Sequence, residues 1–353
     1  MGLPKVTILE VAKAAGVSKG TVSRVLNGRS GVNSDTRESV QAIVDRLGFH
    51  PDPGARRLAR GTRQVIGIAL FNDDTHGLYN EVLLDAIQEV FLTEGYAARV
   101  VETGRDGLPK GVAAGFILLG VHLDDPRPEL FRRRELTFVA IGRAAPGSSW
   151  VDVDNEGGMR EAVSHLIKLG HTRIAHLTGA FAGQASYQRL HAYREALAAA
   201  RIQYDRSLVL DGGFTELGGY RAVRRAIAGA VEFTAVAAAS DEMALGAMAA
   251  LEDAGLHVPW DVSVTGFDDL PPARQAKPQL TTVRQPIREV GRQAAHMLLE
   301  QLSGEAPREV VLPVQLVVRA SSSARPPLLP QDHTLLVPEP ILRAELEARG
   351  APK

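Results

Sequence analysis

The sequence predicts a small all-α head followed by a two-lobed α/β core. Three observations carry that prediction. A helix-turn-helix pattern occupies residues 7–27, strand–helix alternation runs from Val65 past Asp269, and positive charge is concentrated before residue 64. The 353 residues sum to a net charge of −1. Residues 1–63, however, hold eleven Lys and Arg against five Asp and Glu, a net of +6. A basic head on an acidic body points to a polyanionic partner.

Composition narrows the class. Hydrophobic content of 45% and charged content of 23% are those of a globular protein. No apolar run approaches twenty residues and the N-terminus lacks a hydrophobic signal core, so a cytoplasmic protein without membrane contact is expected. With no cysteine there is neither a disulfide nor a thiolate metal site.

The head is TILEVAKAAGVSKGTVSRVLN, residues 7–27. Thr7 with Glu10 forms a capping box for the first helix, and Leu9, Val11, Ala12 and Ala15 recur at helical spacing. Gly16 breaks that helix; Ser18 caps a second over Lys19 to Leu26. Val17, Val22, Val25 and Leu26 pack inward, leaving Lys19, Gly20, Ser23, Arg24 and Asn27 outside. An ordinary helical hairpin shares this pattern; the charge and the segments that follow favour a helix presented to the DNA major groove. Ser34 is expected to cap a third helix from Asp35 to Leu47, ended by Gly48.

Residues 51–63 read as a linker with a short hinge helix. Asp52–Pro53 is an N-cap and first-turn pair, but the two turns that follow carry Gly54 and several arginines and are marginal alone. Leu58, flanked by Arg56, Arg57 and Arg60, suits a minor-groove wedge with phosphate-seeking neighbours.

In the core, the apolar runs 65–71, 96–101, 115–120, 138–142, 173–179, 208–212, 235–240 and 262–269 read as strands. Helical windows at 79–94, 126–134, 156–169, 186–200, 216–230 and 241–254 separate them. Such alternation is the signature of parallel sheets, here in two lobes. Val151–Asn155, Thr281–Pro286 and Leu312–Arg319 read as crossings between the lobes, which would hinge on a ligand. After residue 325 the composition becomes that of a loop and tail, 326–353, with a short helix within Pro340–Arg349.

Taken together, Thr7–Asn27, PDPGARRLA (51–59), VDVDNEGG (151–158), HLIKLGHTRIAHLTG (165–179), SDEMALGAMAAL (240–251), DVSVTGFDDL (261–270) and QLTTVRQP (279–286) resemble the bacterial LacI/GalR family of transcription regulators. The resemblance implies a head at 1–50, a hinge at 51–63 and a core at 64–325 of two doubly wound lobes of periplasmic-binding-protein type. It also implies a homodimer, a tetramer being the lesser alternative, on double-stranded operator DNA, most simply as a repressor.

Carried over by motif, the DNA-contacting set is Thr7, Lys19, Gly20, Thr21, Ser23, Arg24, Asn27, Ala55, Arg57 and Leu58. Lys19, Gly20 and Arg24 fall at base-reading positions, where Gly20 departs from the family by offering no side chain. The effector-binding set is Phe71, Asp73, Arg189, Phe214, Ser240, Asp268 and Gln285. Ser240 departs from the family's usual amide. Aromatics with Asp, Arg and Ser suit a polyhydroxylated effector, a sugar first and a nucleoside or purine second.

Catalysis finds no support. His165 and His171 do not share a helix face, and neither a GxGxxG nor a phosphate loop is present, so no cofactor is expected. Asp152 and Asp154 read as alternate strand residues without a base or nucleophile beside them. A solute-binding protein of the same core fold is the rival reading; the basic head argues against it.

Overall fold

The protein was analysed as a computed structural model describing residues 8–26, 32–47, 64–70, 77–104, 108–179 and 183–325. The capping box of Thr7, the hinge at 51–63 and the tail at 326–353 lie outside the described residues.

The head contains α1 (Ile8–Ala15), α2 (Lys19–Leu26) and α3 (Ser34–Leu47). Gly16 takes a left-handed φ of 63° at the end of α1, a conformation glycine adopts without steric cost. Val11, Ala12, Val22, Val25, Val40 and Val44 are buried together, so all three helices share one small core. Ser18 caps α2, its Oγ accepting from Thr21 N at 3.1 Å. The expected cap of α3 is corrected. Asn33, not Ser34, accepts from Thr36 N at 2.9 Å, while the Ser34 hydroxyl donates to Asp35.

The core is two six-stranded sheets. Lobe 1 holds β1 (Gln64–Ala69), β2 (Tyr96–Val101), β3 (Gly115–Leu118), β4 (Phe138–Ile141), β5 (Ser149–Val153) and β11 (Glu309–Leu312), ordered β11-β5-β4-β3-β1-β2. Lobe 2 holds β6 (Ile174–Thr178), β7 (Val209–Asp211), β8 (Ala235–Ala238), β9 (Ser263–Asp268), β10 (Thr281–Arg284) and β12 (Gln315–Val317), ordered β12-β10-β9-β8-β6-β7. Every pairing between these strands is parallel except β10 with β12. Strands β3, β8 and β9 are buried at every position, as parallel strands covered by helices on both faces must be. In each lobe the order reverses beside the first strand, making a switch point at the carboxyl ends.

Lobe 1 is covered by α4 (Leu78–Thr93), α5 (Arg127–Arg133) and α11 (Ile287–Leu302). Helix α11 buries Ile287, Val290, Ala294, Met297 and Leu298 against Leu83, Ile87 and Phe91 of α4. On the opposite face Phe131 meets Phe116 and Phe138 edge-to-face at 5.2 and 5.6 Å. Lobe 2 is covered by α6 (Asn155–Lys168), α7 (Gln184–Ala199), α8 (Glu216–Ala228) and α9 (Asp241–Asp253), and the short α10 (Pro271–Gln275) follows β9. Helices α8 and α9 touch backbone to backbone: a methyl at Gly219 would overlap Met243, and one at Gly246 would overlap Glu216.

The chain passes between lobes three times, after β5, after β10 and between β11 and β12. All three crossings fall within the segments expected. Asp154 is corrected from a strand position: it follows β5 and caps α6, its Oδ1 accepting from Gly157 N at 2.8 Å. Helix α11 is an element the sequence reading left out.

Candidate functional site

On the head, α2 presents Lys19, Gly20 and Arg24 as exposed residues on its outer face. Thr21 is half-buried, its hydroxyl 2.9 Å from that of Ser18, so one candidate phosphate contact is also part of the cap. A Cβ added at Gly20 would meet only Ser18 Oγ, at 3.6 Å, so the glycine is not demanded by packing. The side chains of Ser23, Thr7, Asn27, Ala55, Arg57 and Leu58 lie outside the described residues.

In the core, a polar cluster forms where the carboxyl edges of the two sheets meet. Its hub is Arg189, on the second turn of α7 and buried. Its Nε and Nη2 donate to Asn155 Oδ1 at 2.9 and 2.8 Å, and Nη1 donates to the carbonyl of Ala239 just past β8. The guanidinium also lies 3.7 Å from the Phe267 ring centroid, a cation–π contact removed from water. Arg189 thereby reaches the switch point of lobe 2. Asn155, first residue after the first crossing, donates through Nδ2 to Asp152 Oδ1 at 3.0 Å and Gln188 Oε1 at 2.8 Å. This chain of bonds ties β5 of lobe 1 to α6 and α7 of lobe 2.

A second branch runs through the acids. Asp268 Oδ1 accepts from Gln285 Nε2, and its Oδ2 lies 3.5 Å from Asp241 N. Asp241 in turn accepts from Thr282 Oγ1 and from Leu270 N. Burial pushes the Asp241 and Asp268 carboxyls well above the usual range. The Arg189 charge pulls Asp268 part of the way back. Asp268 and Asp269 have φ of 128° and 59°, strained for residues with side chains. Asp269 turns away from these bonds to three arginines, although its charge adds to the rise at Asp241. Burial alone would raise its pKa, but bonds from Arg319, Arg284 and Arg274 hold it below the ordinary value.

Lobe 1 contributes Tyr79, whose hydroxyl is pushed up by burial and then by the Asp268 charge. The switch point of lobe 1 is filled by its own Arg127, which donates to the carbonyls of Ala69, Leu119 and Gly120 and pairs with Asp125 at 2.6 Å. The lobes also touch directly. Glu242 Oε1 accepts from Leu78 N at 3.0 Å, capping α4 from the opposite lobe. Gln184 N donates to Val121 O at 3.2 Å, and Gln184 Nε2 to Arg143 O at 2.9 Å.

Of the effector candidates, Arg189, Asp268 and Gln285 come together in this cluster, and Ser240 stands between Ala239 and Asp241, whose backbones the cluster binds. Ser240 is also structural: its Oγ caps α9 by accepting from Met243 N at 3.2 Å. Phe214, at φ 59°, is half-buried against Gly179 at the end of β6, packed on the lobe 2 core. Phe71 and Asp73 lie outside the described residues. Sequence reasoning missed Tyr79, Asn155, Gln188 and Glu242. Asn155 sat in the quoted VDVDNEGG motif, and Tyr79 opens the first core helix; those were the available signals.

Residues 7–52 match the family of bacterial regulatory proteins of the lacI type, and residues 163–322 match the periplasmic binding protein-like domain. Over 334 residues, 89% of this chain and 98% of the relative, it is 39% identical to the HTH-type transcriptional regulator CelR of Thermobifida fusca. The chain belongs to the LacI family. This LacI-family chain is a ligand-responsive, DNA-binding transcriptional regulator. Its fold is similar to that of a CelR–cellobiose complex, with TM-score 0.67 and 35% identity over 90% of this chain and 100% of the other. It is also similar to a lac repressor dimer bound to operator and the anti-inducer ONPF, with TM-score 0.69 and 29% identity over 91% and 100%. Among the described residues, no helix is long and apolar enough to cross a membrane.

Proposed function

We propose that this LacI-family regulator is a cytoplasmic repressor that binds a pseudo-palindromic operator as a homodimer and is switched by a sugar held between its lobes. The observation that carries the sugar reading is the bridging cluster. Arg189, Asn155, Asp152, Asp268 and Gln285 form a dense polar network at the lobe seam, with Tyr79 as a ring beside it and Phe267 backing the Arg189 guanidinium from within the lobe 2 core. Closely placed donors and acceptors beside aromatic rings are what a polyhydroxylated ligand requires. The CelR–cellobiose complex is a related fold with a sugar in place.

On the DNA side, α2 is the recognition helix and Arg24 its guanine reader. Ser23, Thr21 and Asn27 serve the phosphates, and the 51–63 segment with Ala55, Arg57 and Leu58 serves the minor groove. The effector acts by binding, without a chemical step or cofactor. It shifts operator affinity only by its unequal affinity for two lobe arrangements.

Fluorescence anisotropy of the full chain on DNA from its own upstream region tests this directly. Binding at nanomolar to micromolar protein that a sugar relieves is the expected result; DNA binding indifferent to sugars, or absent, overturns it.

A further inference from the structure

Three polar atoms at the rim of the seam have no hydrogen-bond partner. Arg143 Nε, Asp152 Oδ2 and Gln184 Oε1 are each buried and make no hydrogen bond. They are neighbours: Arg143 Nε lies 4.0 Å from Asp152 Oδ2, and Gln184 donates through Nε2 to the Arg143 carbonyl at 2.9 Å. Arg143 and Asp152 belong to lobe 1, just beyond β4 and on β5, whereas Gln184 opens α7 of lobe 2. Orphaned buried polar atoms are costly and uncommon, and three at one place ask for a ligand group.

The geometry defines that group. A separation of 4.0 Å is too long for a hydrogen bond. A hydroxyl set to one side of the gap reaches both atoms at about 2.8 Å. A hydroxyl is also the group that accepts and donates at once. It takes the Arg143 Nε–H and gives its own proton to Asp152 Oδ2 or to Gln184 Oε1.

We propose that Arg143, Asp152 and Gln184 form a subsite for one hydroxyl of an uncharged sugar and that this subsite rejects phosphorylated sugars. The inference rests on the sugar-effector reading and sharpens it. Rejection follows from charge and from the two acceptors, Asp152 Oδ2 and Gln184 Oε1, that need a donor. Asp152 and Asp268 both face the seam, and Arg189, the one fully buried cation beside them, already commits donors on all three nitrogens to Asn155 and Ala239. A phosphate brought to this rim could accept from Arg143 Nε, but it has no proton to give Asp152 Oδ2 or Gln184 Oε1, and its charge would press on the Asp152 carboxylate in a poorly solvated site.

The test is calorimetric titration of the full chain with cellobiose, glucose, galactose, ribose, glucose 6-phosphate, galactose 6-phosphate, ribose 5-phosphate and inorganic phosphate. At least one neutral sugar is expected to bind, and glucose, galactose or ribose to bind at least tenfold more tightly than its own phosphate ester. Asp152→Asn and Arg143→Met should each weaken the neutral sugar by about 10- to 100-fold, the range for a lost hydrogen bond to a charged group. Asp152→Asn should also narrow the gap to the phosphate ester, an effect that a purely structural Asp152 would not produce.

Binding of the neutral sugar by both variants as tightly as by wild type overturns the subsite, as does a phosphate ester that binds as well as its parent sugar. A panel in which no neutral sugar binds overturns it too. The regulator reading fails separately: a sugar that binds in these titrations but leaves operator affinity unchanged removes the switch and leaves the subsite standing.

Discussion

Arg189 shows how one side chain serves both packing and recognition. It pins Asn155 and the end of β8 while lying on Phe267, so its removal leaves a buried acceptor and a carbonyl unpaired. Arg189→Ala should abolish the response to sugar, keep operator binding and lower the melting temperature; retained induction in an anisotropy titration would reject that role. A different residue governs acid stability. His176 is fully buried with Nδ1 on the Ala237 carbonyl at 2.9 Å, and it stacks on Tyr193 at 5.0 Å. Burial pushes its pKa down to about 4. The unfolded chain, with an ordinary histidine, binds more protons between about pH 6.5 and that value. The stability tied to neutral His176 is therefore complete above that window and is lost as pH falls through it, by up to about 3 kcal/mol. His176→Phe should lose less stability than wild type between neutral pH and pH 4.5 in urea titrations; parallel curves would refute the assignment. Arg189 and Asp268 were legible because they stand in recognisable motifs. Their partners were not: Arg189 meets Asn155 across 34 positions of chain, and periodicity predicts a buried face without naming what it faces.

At the scale of elements, α2 is short and depends on its ends. Ser18→Ala removes the cap and should cost about 1 kcal/mol of head stability. Gly20→Ala should recover about 1 kcal/mol of helix propensity, because the site is open. Arg24→Ala should leave the head folded and reduce discrimination between operator and random DNA by about 1–3 kcal/mol. Circular dichroism melts and competition gel shifts separate these effects, and operator preference unchanged in Arg24→Ala would remove it as a base reader. The α2 boundaries were readable because glycine, serine and the valine spacing all agreed. For α3 the neighbouring Asn33 and Ser34 are both good caps, and only side-chain geometry chose between them. Helix α11 was hidden differently. Its buried Ile287, Val290, Ala294 and Leu298 have clear helical spacing, but the chain there also has to change lobes, and the crossing at Thr281–Pro286 runs straight into the helix without a polar cap to mark its start.

At the scale of the whole molecule, the lobes are joined by covalent crossings, by the Asp152–Asn155–Arg189 chain of bonds and, among the described residues, by small clasps on either side of it. Glu242 caps α4 at Leu78 on one side, and Gln184 holds Val121 and Arg143 on another. A carboxylate at a helix N-terminus is favoured by the helix dipole and unpaired N–H groups, so Glu242 stabilises this arrangement of the lobes over one in which they part. Glu242→Ala should enlarge the radius of gyration in solution scattering and weaken sugar binding, because part of the binding energy must then close the lobes. An unchanged scattering profile with unchanged affinity would dismiss the clasp. The two-lobe plan followed from strand–helix alternation alone, whereas a contact between residues 78 and 242 depends on how far the lobes close, which no local pattern encodes.

The interleaved connectivity also orders events during biosynthesis. The three head helices are complete by Leu47, so they emerge from the ribosome and can fold while almost the whole core is still untranslated. Lobe 1 begins at Gln64 yet waits for α11 and for β11, which ends at Leu312, before its sheet and helical cover are finished. Lobe 2 lacks its last strand until Val317. A growing chain thus acquires a folded head long before it can form a working effector cleft. Translation stalled between the first and second crossings would leave that head attached to a core unable to sense anything.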